Sequence, residues 1–170
     1  MSGEAIQFKR RYTGVASSKL DSQRRLLMPK NWRAQGQEGQ NNKFYLIPGS
    51  DRTIKICDEL YYNKYCDFID RLDDSDPNTL VAKTIFGMLS CIVEPDSQGR
   101  FALSQEIITF ANLGKTGDTL YLVGATEYGR ILTEANFNAM MGDSVATLLK
   151  LDQDVNREKR SSQMKTQLTI

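Results

Sequence analysis

The chain has 170 residues, 40% of them hydrophobic, which suits one ordinary domain or two small ones sharing a core and excludes a mainly disordered protein. Its longest apolar stretches, such as Phe86 to Val93, are interrupted by Gly87 and Ser90 and fall well short of the roughly 20 residues that span a bilayer, so no membrane helix is expected. The formal charge of +1 averages over opposites: residues 1–33 carry eight basic side chains against Glu4 and Asp21, whereas residues 51–80 carry four against eight acidic ones.

Histidine is absent, which removes the commonest acid/base group near neutral pH and the commonest transition-metal ligand. Neither a metal nor any other cofactor is expected. The segment MSGEAIQFKRRY has charge but no apolar core of the secretory kind, so a cytoplasmic protein is expected. In that compartment Cys57, Cys66 and Cys91 read as reduced thiols filling apolar space rather than as a disulfide framework.

The chain is written twice. KLDSQRRLLMP and VEPDSQGRFALS share a D-S-Q-x-R core, with Asp21 and Asp96 lying 75 positions apart, as do Arg25 and Arg100. Each core is flanked by imperfect apolar/polar alternation, which predicts two short strands joined by a tight polar turn. Gly99 fits a turn position of positive φ, where glycine carries no steric penalty. Pro29-Lys30-Asn31-Trp32 and Ser104-Gln105-Glu106-Ile107 then read as helix starts, one with an early proline and one with a serine cap. Each unit returns as strands, FYLIPG and TIKI in the first copy, TLYLVGA and GRIL in the second.

Between the copies, Leu60, Tyr61, Tyr65, Phe68, Ile69 and Leu72 recur at helical spacing, and Asp76-Pro77 opens a second helix with Leu80, Val81, Thr84 and Ile85. A further helix is expected over Val145 to Leu151. The polar end of the chain, with EKRSSQMKTQLTI, reads as a flexible tail.

The two D-S-Q-x-R turns, set in tandem and flanked by strands, resemble the MraZ family of transcriptional regulators. That family carries a D-x-x-x-R loop in each half, usually with glycine before the arginine. LDSQRRLLMP with Asn31-Trp32-Arg33 matches the first copy, and PDSQGRFALSQEI with Phe110-Ala111-Asn112-Leu113 the second; the likeness covers roughly residues 12–141. Two positions depart from the pattern: Arg24 replaces the glycine, adding charge and bearing on the turn's backbone conformation, and Ser104 stands where proline is frequent.

The resemblance implies an α+β fold of two tandem swapped-hairpin AbrB-like β-barrel repeats with short flanking helices, arranged as residues 1–86, 87–150 and a tail over 151–170. It further implies a homo-oligomer, a ring, that binds double-stranded DNA at direct repeats upstream of the division and cell wall gene cluster, as a nucleoid-associated repressor. Arginine at a turn tip suits this role, because its planar fork can grip a phosphate or the O6 and N7 of guanine. Arg25 and Arg100 are the first candidates, with Arg24, Lys19, Arg10 and Arg11 adding backbone contacts. Asp21 and Asp96, with Gly99, are expected to position the turns. Tyr61, Tyr62, Tyr65 and Phe68 are candidates for contacts between subunits, or else for covering the chain's own sheet.

An enzyme is the poorer reading. Glu106 or Cys91 beside Asp96 lacks an orienting base, and Gly114-Lys115-Thr116-Gly117 lacks the preceding glycine spacing of a phosphate loop, reading as a turn between helix and strand. No small-molecule substrate is expected. The rival within binding proteins is an oligomeric AbrB-like module or antitoxin whose partner is a protein.

Overall fold

Among the described residues eight strands alternate with helices in the order that the duplication demands. The computed structural model describes residues 9–33 and 42–167. The readings made above for residues 1–8 and 168–170 lie outside them.

In the first copy these are β1 (Val15–Lys19), β2 (Arg25–Leu27), the short α1 (Lys30–Arg33), β3 (Phe44–Pro48) and β4 (Ile54–Cys57). Two helices follow, α2 (Glu59–Asp70) and α3 (Pro77–Leu89). The second copy gives β5 (Cys91–Val93), β6 (Arg100–Ala102), α4 (Gln105–Ala111), β7 (Thr119–Gly124) and β8 (Gly129–Thr133). The chain ends in α5 (Glu134–Gly142) and α6 (Ser144–Gln167).

The helix ends follow from local chemistry. Asp58 caps α2 by accepting from the Tyr61 N–H at 2.9 Å, and Asp76 caps α3 by accepting from Asn78 at 3.1 Å, with Pro77 in the first turn where its missing N–H costs nothing. Ser104 accepts from Ile107 N–H at 3.2 Å to start α4, so serine does the work at the position where proline is frequent.

One antiparallel sheet runs β1-β7-β8-β4-β3-β5, and β2 pairs with β6 as a separate ribbon. Exchanging the copies, β1 for β5 and so on, returns the same sheet read backwards. The register keeps this symmetry residue by residue. Ser18 opposite Leu120 is matched by Val93 opposite Phe44, and Lys55 faces Arg130 where the two halves meet. The ribbon is centred in the same way on Leu26 opposite Phe101.

The core obeys the same exchange. Leu26 and Phe101, Met28 and Leu103, Trp32 and Ile107, Phe44 and Leu120, Leu46 and Leu122 are all buried in a single cluster. Each repeat alone would leave its apolar face half covered, and interleaving the strands removes both faces from water at ~25 cal/mol per Å².

Two expectations change. Among the described residues the strands form an open sheet and a ribbon, with β1 and β5 as sheet edges, rather than a closed barrel. The strands around each D-S-Q-x-R turn do not pair as a hairpin: β2 leaves β1 to pair with β6, because only that pairing lets Leu26 and Phe101 share the dry face of one ribbon. By contacts the described residues fall into two compact units, within 1–134 and 135–170, and both D-S-Q-x-R turns lie in the first.

In the second unit, α6 continues to Gln167 through the segment read above as a flexible tail. Residues 144–167 contain neither glycine nor proline, and half of them are Leu, Lys, Arg, Gln or Glu, so nothing in the run interrupts propagation. Its side chains, from Val145 to Met164, are largely exposed.

Candidate nucleic-acid interface

Both turns are built by the same hydrogen bonds. In the first, Asp21 N–H donates to the Arg25 carbonyl at 3.1 Å and Arg24 N–H to the Asp21 carbonyl at 3.0 Å; in the second, Asp96 N–H donates to Arg100 at 2.9 Å and Gly99 to Asp96 at 2.8 Å. The Asp21 carboxylate accepts from Gln23 N–H at 2.9 Å and Arg25 N–H at 2.8 Å with one oxygen, and from Arg25 Nε at 2.8 Å with the other. Asp96 repeats this with Gln98, Arg100 N–H and Arg100 Nε, each at 2.9 Å. In each turn the arginine's backbone N–H does most to hold the carboxyl below the usual carboxylate range, reinforced by the guanidinium and the glutamine N–H against a desolvation that opposes them.

Tight closure forces the residue before each arginine into the left-handed region. Gly99 has φ of +87°, as the sequence suggests, and Arg24 has φ of +58°, so the arginine that replaces glycine adopts a glycine conformation instead of changing the turn. Each of these residues also ties its turn to the other copy: the Arg24 carbonyl accepts from Leu103 N–H and the Gly99 carbonyl from Met28 N–H, both at 2.8 Å.

This cross-tie places the two arginines. In the ribbon Arg25 lies opposite Ala102 and Arg100 opposite Leu27, while the alternate residues Leu26 and Phe101 point into the core. Strand alternation therefore turns Arg25 and Arg100 to the same outer face, as diagonal neighbours across the ribbon. Their side chains are 28% and 39% exposed. The ion pair to aspartate engages only Nε, and among the described residues neither arginine's terminal nitrogens take a hydrogen bond. The aspartates thus hold each fork side-on, through Nε.

Lys19 is exposed at the end of β1, immediately before the first turn. Arg24 is exposed too, its Nε donating to the Leu103 carbonyl at 3.2 Å. The loop holding Lys115 and Thr116 joins α4 to β7 and packs beside the same turn, with Gly117 N–H donating to the Leu20 carbonyl at 2.7 Å.

Arg10 belongs elsewhere. Its residue is 5% exposed, its Nη1 donates to the Trp32 carbonyl, and its guanidinium lies 4.4 Å from the Phe44 ring centroid. Burial pushes this guanidinium down from its ordinary value, with Tyr12 and Asp58 opposing. Arg10 is therefore a core cation, corrected from its expected place in a surface patch: the short stretch before β1 folds inward, with Tyr12 fully buried. Arg11 next to it is exposed.

One cation of the first third that is not among the expected contacts has a particular place. Arg33, at the end of α1, lays its guanidinium against Gly99 of the second turn. The available sign was Gly99 itself, because a glycine at a turn both permits positive φ and admits a neighbour closely.

A second surface lies on α2 and α3. Tyr61, Tyr62 and Phe86 cover Tyr45, Ile47 and Cys57 of the chain's own sheet, so these tyrosines serve the core. Phe68, Leu72, Leu80, Val81 and Met88 are each more than half exposed. A groove of about 430 Å³ runs between the helices, lined by Tyr65, Ile69, Leu72, Ala82 and Phe86 among others. No described helix is long and apolar enough to cross a membrane.

No family model matches the chain. It is similar to the transcriptional regulator MraZ of Pelodictyon phaeoclathratiforme (strain DSM 5477 / BU-1), with 27% identity over 111 residues, 61% of this chain and 73% of that protein. The similarity agrees with the resemblance carried by the paired turns.

Proposed function

We propose that the chain is a DNA-binding transcriptional regulator whose interface is the outer face of the β2–β6 ribbon. The observation that carries this reading is the pair Arg25 and Arg100, set on one face with their Nε atoms held by Asp21 and Asp96 and their terminal nitrogens without a partner among the described residues. Such forks suit phosphate oxygens or guanine edges in a major groove, and prior ordering lowers the entropy lost on contact. Lys19 and Arg24 extend the positive surface beside the first turn. The similarity to a protein named as a transcriptional regulator supports the same class.

In its finer form the reading is repression from direct repeats upstream of the division and cell wall gene cluster, within the nucleoid. One chain offers few phosphate contacts, and binding through few contacts is weak at cellular salt. A ring of copies engaging successive repeats overcomes that by raising effective concentration. The exposed apolar face of α2 and α3, with Phe68 and Val81, supplies a surface for the contact between copies.

The test is an anisotropy titration of labelled duplex DNA from upstream of the chain's own coding sequence. Arg25→Ala and Arg100→Ala are each expected to weaken binding by about 5- to 150-fold, the range for loss of a two-pronged arginine contact of ~1–3 kcal/mol. Unchanged affinity in both folded variants refutes the reading.

A further inference from the structure

The exchange that relates the two copies fails at the turns in a patterned way. Position 24 is arginine and position 99, its equivalent, is glycine; Lys19 corresponds to Glu94, and Arg33 to Ile108. Counted within its own copy, the second turn has one cation where the first has three.

Arg33 makes up part of this deficit from the other copy. A Cβ built on Gly99 would stand 2.6 Å from Arg33 Cζ and 2.8 Å from its Nε and Nη2, so the guanidinium occupies the space that a side chain at position 99 would need. The placement is rigid at its root. Trp32 is fully buried, donates from Nε1 to the Thr13 carbonyl at 2.9 Å and meets the Tyr12 ring edge-on at 5.1 Å, while Arg33 N–H donates to the Pro29 carbonyl at 3.2 Å.

Arg33 also differs from Arg25 and Arg100 in its partners. Its Nε is buried without a hydrogen bond, and it joins none of the ion pairs among the described residues. Arginine cannot escape by losing its proton. A partly buried guanidinium with no counter-ion is costly, and an incoming anion offsets that cost.

We propose that Arg33 is a phosphate-binding residue of the second turn, lent across the pseudo-twofold by the first copy. Each turn then presents two guanidinium groups, Arg24 with Arg25 and Arg33 with Arg100, by different routes. The proposal rests on the DNA reading and adds a contact to it. Being a phosphate contact, it contributes affinity without sequence preference.

The test uses the full chain, the labelled upstream duplex and a random-sequence duplex of equal length, each titrated over a series of salt concentrations. Arg33→Ala is expected to weaken both duplexes by the same factor and to reduce the slope of log affinity against log salt by about one. Gly99→Asn provides a route that leaves Arg33 in the chain: asparagine tolerates positive φ, and its Cβ takes the space of the guanidinium. It is expected to match Arg33→Ala, and the double variant to lose nothing further. An unchanged slope and affinity in Arg33→Ala, with Arg25→Ala and Arg100→Ala both impaired, overturns this proposal alone, as do additive losses in the double variant. Unchanged binding in all three arginine variants overturns the DNA reading and this contact together.

Discussion

Gly129→Ala tests the packing that holds α1, and with it Arg33, in place. Gly129 opens β8 opposite Ile56 and Gly124, and its φ is not in the left-handed region, so alanine meets no backbone objection there. A methyl group at that Cα would stand 2.5 Å from Trp32 Cη2 and 2.6 Å from Cζ3. The indole has no room to retreat, being fully buried between its Tyr12 contact and its hydrogen bond to Thr13. Overpacking of this kind costs ~1–3 kcal/mol, while replacing glycine restricts the unfolded chain and returns ~0.4–1 kcal/mol, leaving a net destabilisation of about 1–2 kcal/mol. Trp32 is the only tryptophan, so its emission during urea unfolding reports on the site directly. For a chain of this size the loss corresponds to a fall in Tm of about 2–8 °C. Shrinking the indole in Trp32→Leu should make the alanine neutral, giving a coupling of about 1 kcal/mol or more in the double-mutant cycle. Equal stability of Gly129→Ala and the parent chain, or strict additivity with Trp32→Leu, refutes the close packing of residue 129 on the indole.

Three further outcomes are expected. Because the carboxyls of Asp21 and Asp96 are held below the usual range, their contribution is complete above the unfolded carboxylate pKa and is lost as pH falls through the lower folded values; urea midpoints should drop in acid, and drop less in Asp21→Asn/Asp96→Asn. Arg24→Gly relieves ~1–2 kcal/mol of left-handed strain but loosens the unfolded chain by ~0.4–1 kcal/mol and loses the part-buried bond to the Leu103 carbonyl, so its Tm should stay within a few degrees of the parent while its DNA salt slope falls. Phe68→Asp and Val81→Asp place charge on the exposed face of α2 and α3; native mass spectrometry should show smaller assemblies with folding unchanged, and an unaltered mass distribution would remove that face from the subunit contact.

How much was legible in the residues depends on the range of the interaction. Caps and turns are local, so Asp76-Pro77, Ser104 and Gly99 announce their roles in a few neighbouring letters. The duplication is legible because order and spacing survive together. Pairing partners were not, since an alternating segment such as Arg25–Leu27 specifies a buried face but not whose strand will cover it; the choice of β6 over β1 is set by Phe101, 75 positions away. Arg10 misleads for a related reason. In the run Lys9-Arg10-Arg11 the three cations look alike, and only Trp32 and Phe44 from distant segments distinguish the one that is swallowed. The length of α6 is hidden for another reason: a polar composition suggests an unstructured segment, although the run lacks any helix breaker.

The pattern of kept and broken symmetry has a consequence for the kind of site such a protein can read. A reader with true two-fold symmetry matches a palindrome, because both halves demand the same contact. Here the frame is symmetric to the register of individual strand pairs, yet Lys19 and Glu94, Arg24 and Gly99, Arg33 and Ile108 differ. All three differences lie at or beside the turns, where they change charge, while core pairs such as Leu26 and Phe101, Met28 and Leu103, and Leu46 and Leu122 stay apolar. A ribbon with unequal ends has a polarity, and copies joined head-to-tail around a ring carry that polarity in one sense. Under the proposed function, operators arranged as direct rather than inverted repeats are what such an array would match. Removing the charge difference that Arg33 does not offset, by combining Lys19→Ala with Glu94→Ala, should therefore reduce discrimination between the two orientations of a single repeat more than it reduces affinity for random duplex.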